Sequence, residues 1–332
     1  MRILLVKTSS LGDVIHNLPV ASDIRQAFPN AEIDWCVESA FADIPRLHPA
    51  VSRVIPVAIR SWRKQLFQRQ TWFAMADCQK ALRQTPYDWI IDTQGLIKSA
   101  LITRLAEGRR AGYSRDVVRE PWAAHAYDAH FFVPKTLHAI ERNRRLAGAA
   151  LGYVVSPELH YGIHATAPLP RELNLAHPKV VLLTASSRED KRWPDDHWIE
   201  LGKSLHMQGL CAYLPAGNAH ERERAAFIAQ AIPEARLVPP LSLSELASLL
   251  ASAAVVVGVD TGLTHLAAAL NKPTVALYTA SDPGLTGVVG SGGFRNLGGH
   301  GQSPKVKEVF DVCQSLCPPL PPLRGIDDPL VL

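Results

Sequence analysis

Short apolar runs alternate with amphipathic stretches along most of this chain. Residues 2–6 read as a strand, the polar loop 8–12 follows, and a helical spacing runs over 13–28 with Val14, Ile15, Leu18 and Ala21 on one side. Pro19 inside that stretch predicts a kink or a late start. Residues 33–37, 53–57 and 89–92 are further strands, and 96–106 a helix. Residues 164–178 hold Pro168, Pro170 and Pro178 with little periodicity and read as a linker. The alternation then restarts, with strands at 180–184, 211–214, 255–259 and 274–278 and helices at 198–207, 221–231, 242–253 and 263–270. From about 284 the pattern decays into a Gly-rich stretch, 287–301, and a tail over 318–329 with five prolines. Between them Val306, Val309, Phe310, Cys313 and Leu316 stand at helical spacing, which predicts a last helix before a loose tail. No internal sequence repeat is evident.

Strands alternating with helices predict parallel sheets covered on both faces. The chain is therefore expected to be α/β, with an N-terminal domain over 1–165, a linker over 166–178 and a C-terminal domain over 179–332 that carries the last helix and tail. Such sheets bind ligands beyond the carboxyl ends of their strands, so substrates are expected in a cleft between the halves.

Composition narrows the class. A chain of 332 residues is comfortable for two domains, and 47% apolar with 20% charged residues excludes a disordered or fibrous protein. The net charge of +4 is too small for a general nucleic-acid binder but allows a local basic patch. The longest uncharged apolar run, 246–259, is too short to span a bilayer. The opening MRILLVK is cut by Lys7 and Asp13, so it does not read as a secretion signal. Of five cysteines only Cys313 and Cys317 are close, with no second ligand pair. Reduced thiols in a cytosolic protein are expected, and no metal site.

The usual phosphate fingerprints, G-x-G-x-x-G and G-x-x-x-x-G-K-[ST], are missing, as are D-x-D and any acid cluster for a magnesium–diphosphate. That argues against a dinucleotide oxidoreductase and a P-loop kinase. The sharpest segment is VVVGVDTGLTHLAAAL, 255–270. A strand ends at Val259 and Asp260-Thr261-Gly262 opens directly into a helix, whose N–H groups favour an anion; His265 faces the same mouth. The plainer alternative is a capped helix start. After the strand at 180–184, Ser186, Ser187 and Lys191 offer two hydroxyls and a cation, suited to a diphosphate without a metal or to a solvated loop. Glu221 could accept from ribose hydroxyls or complete a capping box with Asn218. In the first half, KTSSLGDVIHNLP puts Asp13 at a helix start on the strand-end face, as a general base or as a first-turn acid. Arg60, Arg63, Lys64, Lys98 and Arg119 are cations that could meet an acidic acceptor or remain solvated.

These segments together resemble the heptosyltransferases of lipopolysaccharide core assembly, a glycosyltransferase family with the GT-B fold of two Rossmann-like doubly wound domains facing a central cleft. VKTSSLGDVIHNLPV, RVIPVAIRSWRK, IIDTQGLIKSA, DKRWPDDHW, VDTGLTHLAAAL and SDPGL carry the resemblance, over about 1–145 and 179–287. VDTGLTH marks the wider family, and KTSSLGD points to its branch that adds the first heptose. The resemblance implies inverting, metal-independent transfer of L-glycero-D-manno-heptose from ADP-heptose to the first Kdo of Kdo2-lipid A, at the cytoplasmic face of the inner membrane and with no cofactor. It implies Asp13 as base, and Ser186, Ser187, Lys191, Thr261 and Gly262 on the diphosphate. It also implies Glu221 on the ribose, Leu241 near the adenine, and Asp260 and His265 around the heptose and phosphate. A second or third heptosyltransferase of the family, a sugar-nucleotide epimerase or synthase of similar shape, and a non-enzymatic binding protein are the alternatives. The tail after about 288 departs from the family, and it leaves any role for Cys313 and Cys317 open.

Overall fold

A computed structural model describes residues 1–65, 67–173, 178–186 and 188–317. Ser187, part of the expected linker and the proline-rich tail lie outside the described residues. The chain divides into two compact units, Met1–His164 and Ala165–Leu332.

The first unit holds strands β1 (Arg2–Val6), β2 (Glu32–Glu38), β3 (Val51–Val57), β4 (Tyr87–Asp92), β5 (Gly108–Tyr113) and β6 (Ala129–Phe131). They form one parallel sheet in the order β3-β2-β1-β4-β5-β6. Ile3 at its centre pairs with Ile33 on one side and Trp89 on the other. Its helices are α1 (Leu11–Ile15), α2 (Leu18–Ala27), α3 (Asp43–Arg46), α4 (Ile59–Lys64), α5 (Arg69–Arg83), α6 (Ile97–Leu105) and α7 (Ala139–Leu151). The helix expected over 13–28 is thus two helices. Pro19 falls in the first turn of the second, where its missing N–H costs nothing. Strands β5 and β6 and helices α3, α4, α5 and α7 are not among the expected elements. Strand β5 opens with Gly-Arg-Arg, and α5 buries only a narrow stripe, Thr71, Cys78 and Leu82, so neither shows a strong period.

The second unit holds β7 (Lys179–Leu183), β8 (Cys211–Leu214), β9 (Arg236–Leu237), β10 (Val255–Val259), β11 (Thr274–Tyr278) and β12 (Phe294–Gly298), again all parallel. Its helices are α8 (Asp195–His206), α9 (Ala219–Gln230), α10 (Leu243–Ser252), α11 (Gly262–Ala269), α12 (Pro283–Thr286) and α13 (Val306–Leu316). The decay expected beyond 284 is corrected for the Gly-rich stretch, through which β12 runs as an edge strand on β11, whereas the expected last helix is present as α13 and packs on α8. Val306, Val309 and Cys313 enter the core, and Trp193 Nε1 donates to Pro304 O at 2.9 Å. Burial pushes the Cys313 thiol up to about 12, as expected of an inert core cysteine.

Read from β9, the second sheet runs β9-β8-β7-β10-β11-β12, the order of the first sheet with each strand six places later. Strand β7 takes the place of β1, and β10 that of β4. The residues after β4 and β10 match as well, with Asp92 closing β4 before Thr93-Gln94-Gly95-Leu96, and Asp260-Thr261-Gly262-Leu263 following β10. The chain does contain an internal repeat, carried by topology and one short motif. Among the described residues no helix is long and apolar enough to cross a membrane.

Candidate active site

Strand β10 is apolar and buried along its whole length, and it delivers Asp260 to the carboxyl edge of the sheet. Gly258 allows α11 to close against the strand: a Cβ there would lie 2.3 Å from Thr264 Oγ1 and 2.9 Å from Leu183 Cβ. Thr264 Oγ1 donates to Val259 O at 2.7 Å and latches the first helical turn to the strand end. Thr261 is the N-cap, yet its hydroxyl makes no capping bond. The first N–H groups of the helix have no intrahelical acceptor, which makes this end favourable for an anion.

Asp260 collects donors from the neighbouring strand ends. Lys191 Nζ, on the 3-10 turn Glu189–Lys191 that follows β7, donates to Oδ2 at 2.5 Å. Ser281 Oγ, just beyond β11, donates to the same oxygen at 2.6 Å. His265 Nε2 lies 3.8 Å from Oδ1. Burial pushes this carboxyl up, but His265, Lys191 and Ser281 outweigh it and hold it well below the usual carboxylate range. Thr279 Oγ1 donates to Asp190 O at 2.7 Å and fixes the Lys191 turn against the end of β11. An ammonium has three donors and Asp260 takes one, so Lys191 keeps donors for an anion. Ser186 is buried on the same loop, its Oγ accepting from the Arg188 N–H at 3.4 Å.

In the first unit the loop after β1 is braced by Gln94, from the loop after β4. Its Oε1 accepts from Thr8 N–H at 2.7 Å, Thr8 Oγ1 at 3.0 Å and Ser9 N–H at 3.1 Å, while its Nε2 donates to Ser9 O. Lys7 is buried below, donating to Thr93 O at 2.8 Å; burial lowers its pKa against the pull of Asp13 and Asp92. Asp13 stands half-buried in the first turn of α1, and its Oδ2 accepts from Ser10 N–H at 2.7 Å and Ser10 Oγ at 3.0 Å. Among the described residues its Oδ1 makes no hydrogen bond. Lys98 Nζ donates to Ser9 Oγ at 2.7 Å. Burial lowers the Lys98 pKa, Arg60 and Arg119 push the same way, and Glu38 and Asp13 oppose them. Asp13, Arg60, Lys98 and Arg119 therefore share one electrostatic neighbourhood.

The profile of glycosyltransferase family 9 (heptosyltransferase) matches residues 75–310. Lipopolysaccharide heptosyltransferase 1 of Escherichia coli (strain K12) is 45% identical over 295 residues, covering 87% of this chain and 91% of the relative. The chain belongs to glycosyltransferase family 9. Among solved structures, the E. coli heptosyltransferase WaaC with ADP superposes at a TM-score of 0.88 with 41% identity, covering 95% of this chain and 100% of that one. The same enzyme with ADP-2-deoxy-2-fluoro heptose gives 0.84 and 40%, covering 95% and 98%. This family 9 glycosyltransferase therefore has the GT-B fold of that enzyme, and the epimerase and non-enzymatic alternatives are set aside.

The structure of the family 9 enzyme thus gathers Ser186, Lys191, Asp260, Thr261, Gly262 and His265 in one unit, and Asp13, Arg60, Lys98 and Arg119 in the other. Other expected residues stand apart. Glu221 completes the capping box: its N–H donates to Asn218 Oδ1 at 2.9 Å, and its Oε2 accepts from the Gly217 N–H at 2.9 Å. Leu241 is half-buried one residue before Ser242, the N-cap of α10. Arg63 and Lys64 are exposed in the last turn of α4, and their side chains make no hydrogen bond or ion pair to another described residue. Sequence reasoning gave no role to Gln94 or Ser281. Both lie just past a strand end beside a candidate residue's strand, and that position is the signal that would have found them. Among the described residues no three His, Cys, Asp or Glu side chains are grouped to hold a metal ion.

Proposed function

We propose that this glycosyltransferase moves L-glycero-D-manno-heptose from ADP-heptose to the first Kdo of Kdo2-lipid A, with inversion and without a metal, in building the lipopolysaccharide inner core. The observation that carries the reading is the Asp260 cluster, where a lysine, the hydroxyls of Ser281 and Thr261 and an open helix end meet at one strand edge. That set supplies the charge a departing ADP needs. Ser186, Lys191, Thr261 and Gly262 hold the diphosphate, with Ser187 assigned there from the resemblance. Asp260 fixes Lys191 and, with His265, flanks the heptose and its phosphate. Glu221 retains its Oε1 for a ribose hydroxyl, and Leu241 covers the adenine. The C-terminal domain, 179–332, is thus the donor domain.

The N-terminal domain, 1–165, binds the acceptor. A sugar hydroxyl is a poor nucleophile, and inversion calls for a base opposite the leaving group. Asp13 fits that role because Ser10 fixes one carboxylate oxygen and leaves the other to take the proton as the new bond forms. Arg60, Lys98 and Arg119 meet the Kdo carboxylates and lipid A phosphates, with Arg63 and Lys64 further along α4. An acceptor anchored in the inner membrane places the enzyme as a peripheral protein on the cytoplasmic side. The loop KTSSLGD and the likeness to heptosyltransferase 1 favour the first heptose over a later one. The test is ADP release from ADP-heptose with and without Kdo2-lipid A. Release only with that acceptor is expected, and it should persist in excess EDTA. Acceptor-independent turnover, or transfer only to an already heptosylated acceptor, would overturn the reading.

A further inference from the structure

Helices α4 and α5 carry an unusual combination of exposed aromatic rings and positive charge. Residues 59–83 contain six Lys or Arg and a single acid, Asp77, an excess of five in a chain whose whole excess is four. Outside this segment positive and negative residues nearly cancel, so the net positive charge of the chain is carried here. Helix α5 buries Thr71, Cys78 and Leu82 and turns the opposite stripe outward. On that outer side Trp72 is 59% and Phe73 69% exposed, and Phe67, just before the helix, is fully exposed. Arg63, Lys64 and Arg69 flank the three rings and are exposed as well. Exposed aromatic rings ringed by cations are the composition of a surface that sits at a bilayer interface. There the rings enter the headgroup region and the cations meet anionic lipid. The same helices and β3 wall a cavity of about 420 Å³, lined by apolar groups that include Val54, Pro56, Ala58, Trp62 and Ala74.

We propose that the α4–α5 surface, with Phe67, Trp72 and Phe73 as its apolar anchors, docks this enzyme on an anionic phospholipid membrane. The charge selects this occupant: a second copy of the chain would bring the same five-charge excess against itself, whereas an anionic bilayer complements it. The inference rests on the reading that the acceptor is held in a membrane, and it names the face that reaches it. Rings in the interface and cations on the headgroups act together, so binding falls when either is removed or screened by salt.

The test measures co-sedimentation with vesicles of phosphatidylglycerol and phosphatidylcholine, and with vesicles of phosphatidylcholine alone. The wild-type chain should bind the first in a salt-sensitive way and leave the second in solution. The double variant Trp72→Ser/Phe73→Ser should bind the anionic vesicles roughly tenfold or more weakly. Its melting temperature and its turnover with a water-soluble, deacylated acceptor should stay near wild type. Trp72→Phe/Phe73→Leu, which keeps apolar anchors, should recover most of the binding. Unchanged sedimentation of the Ser variant would overturn the proposal. So would a self-association of the wild type that the Ser variant abolishes without any vesicle binding. Vesicle binding that persists in a chain with no heptose transfer to any acceptor would uphold the docking surface while the functional reading fell.

Discussion

The two sheets place the same motif at the same topological point and use it differently. After β4, Asp92 is fully buried: its Oδ1 accepts from the N–H groups of Gln94 at 2.8 Å and Gly95 at 3.1 Å, and its Oδ2 from Tyr127 Oη at 2.8 Å. Burial pushes that carboxyl up against the pull of its donors. After β10, Asp260 reaches the sheet edge and is held down by a lysine, a serine and a histidine. In each unit the loop after this strand also braces the loop after its neighbour, Gln94 holding Thr8 and Ser9 by neutral hydrogen bonds, Asp260 holding Lys191 by an ion pair. A neutral, buried brace fixes a loop permanently and can aim Asp13. A charged, half-open brace can exchange a partner for an incoming anion. The motif sets where the carboxylate stands, and the neighbours set what it does.

The largest expected effect tests what the neutral brace aims. Asp13→Asn keeps the shape and removes the basicity, so kcat should fall by roughly 10²–10⁴ while donor affinity and melting temperature stay near wild type. Near-normal turnover would reduce Asp13 to a helix-start residue. Next, Lys191→Ala should lower kcat/KM for the donor roughly 10- to 100-fold, the size of one charge-assisted hydrogen bond. An equal loss with the acceptor but none with the donor would break the contrast.

Stability separates the paired aspartates directly. Asp92→Ala strands two buried N–H groups and a tyrosine hydroxyl, and should cost about 3 kcal/mol in chemical denaturation. Asp260→Ala leaves a lysine whose side chain is 20% exposed and can turn toward water, and should cost about 1–2 kcal/mol, its main effect being on donor KM. The reverse ranking would show that the second carboxylate is the structural one.

The gentlest test uses acid. His48 is buried with Nε2 2.9 Å from Ser22 Oγ, and its Nδ1 accepts from the Ala50 N–H at 3.1 Å. Burial first, then Arg25 and His164, lowers its pKa to about 4. The unfolded chain takes a proton here near the ordinary histidine pKa and the folded chain does not, so stability falls as pH drops. Between pH 6.5 and 5.5 the wild type should lose about 1 kcal/mol more than His48→Gln. The Asp260 pair contributes nothing to that slope. A depressed carboxyl is ionised in both states over this window and gives up its stability only at much lower pH. Identical slopes for the two proteins would show that His48 is not held neutral.

How much of this was legible in the sequence depends on range. Strands β1, β8, β10 and β11 follow from unbroken apolar runs of the right length, and the capping boxes at Asn218 and Ser242 from residues three apart. The strand-loop-helix junctions at Thr8 to Asp13 and at Asp260 to Gly262 are equally local, which is why the principal candidate residues could be named from the chain alone. Strands β5 and β12 could not, because an edge or Gly-flanked strand acquires its identity from the partner that pairs with it. Nor could the repeat of the two sheets, since topology constrains the order of strands and hardly any residue within them. The contacts of Gln94 with Thr8 and of Lys191 with Asp260 join residues 86 and 69 positions apart. Local sequence determined the motifs and the type of most elements. Only the tertiary structure decided which carboxylate is sealed, which is paired with a cation and which keeps a free oxygen, because those states depend on burial and on donors that arrive from distant strands.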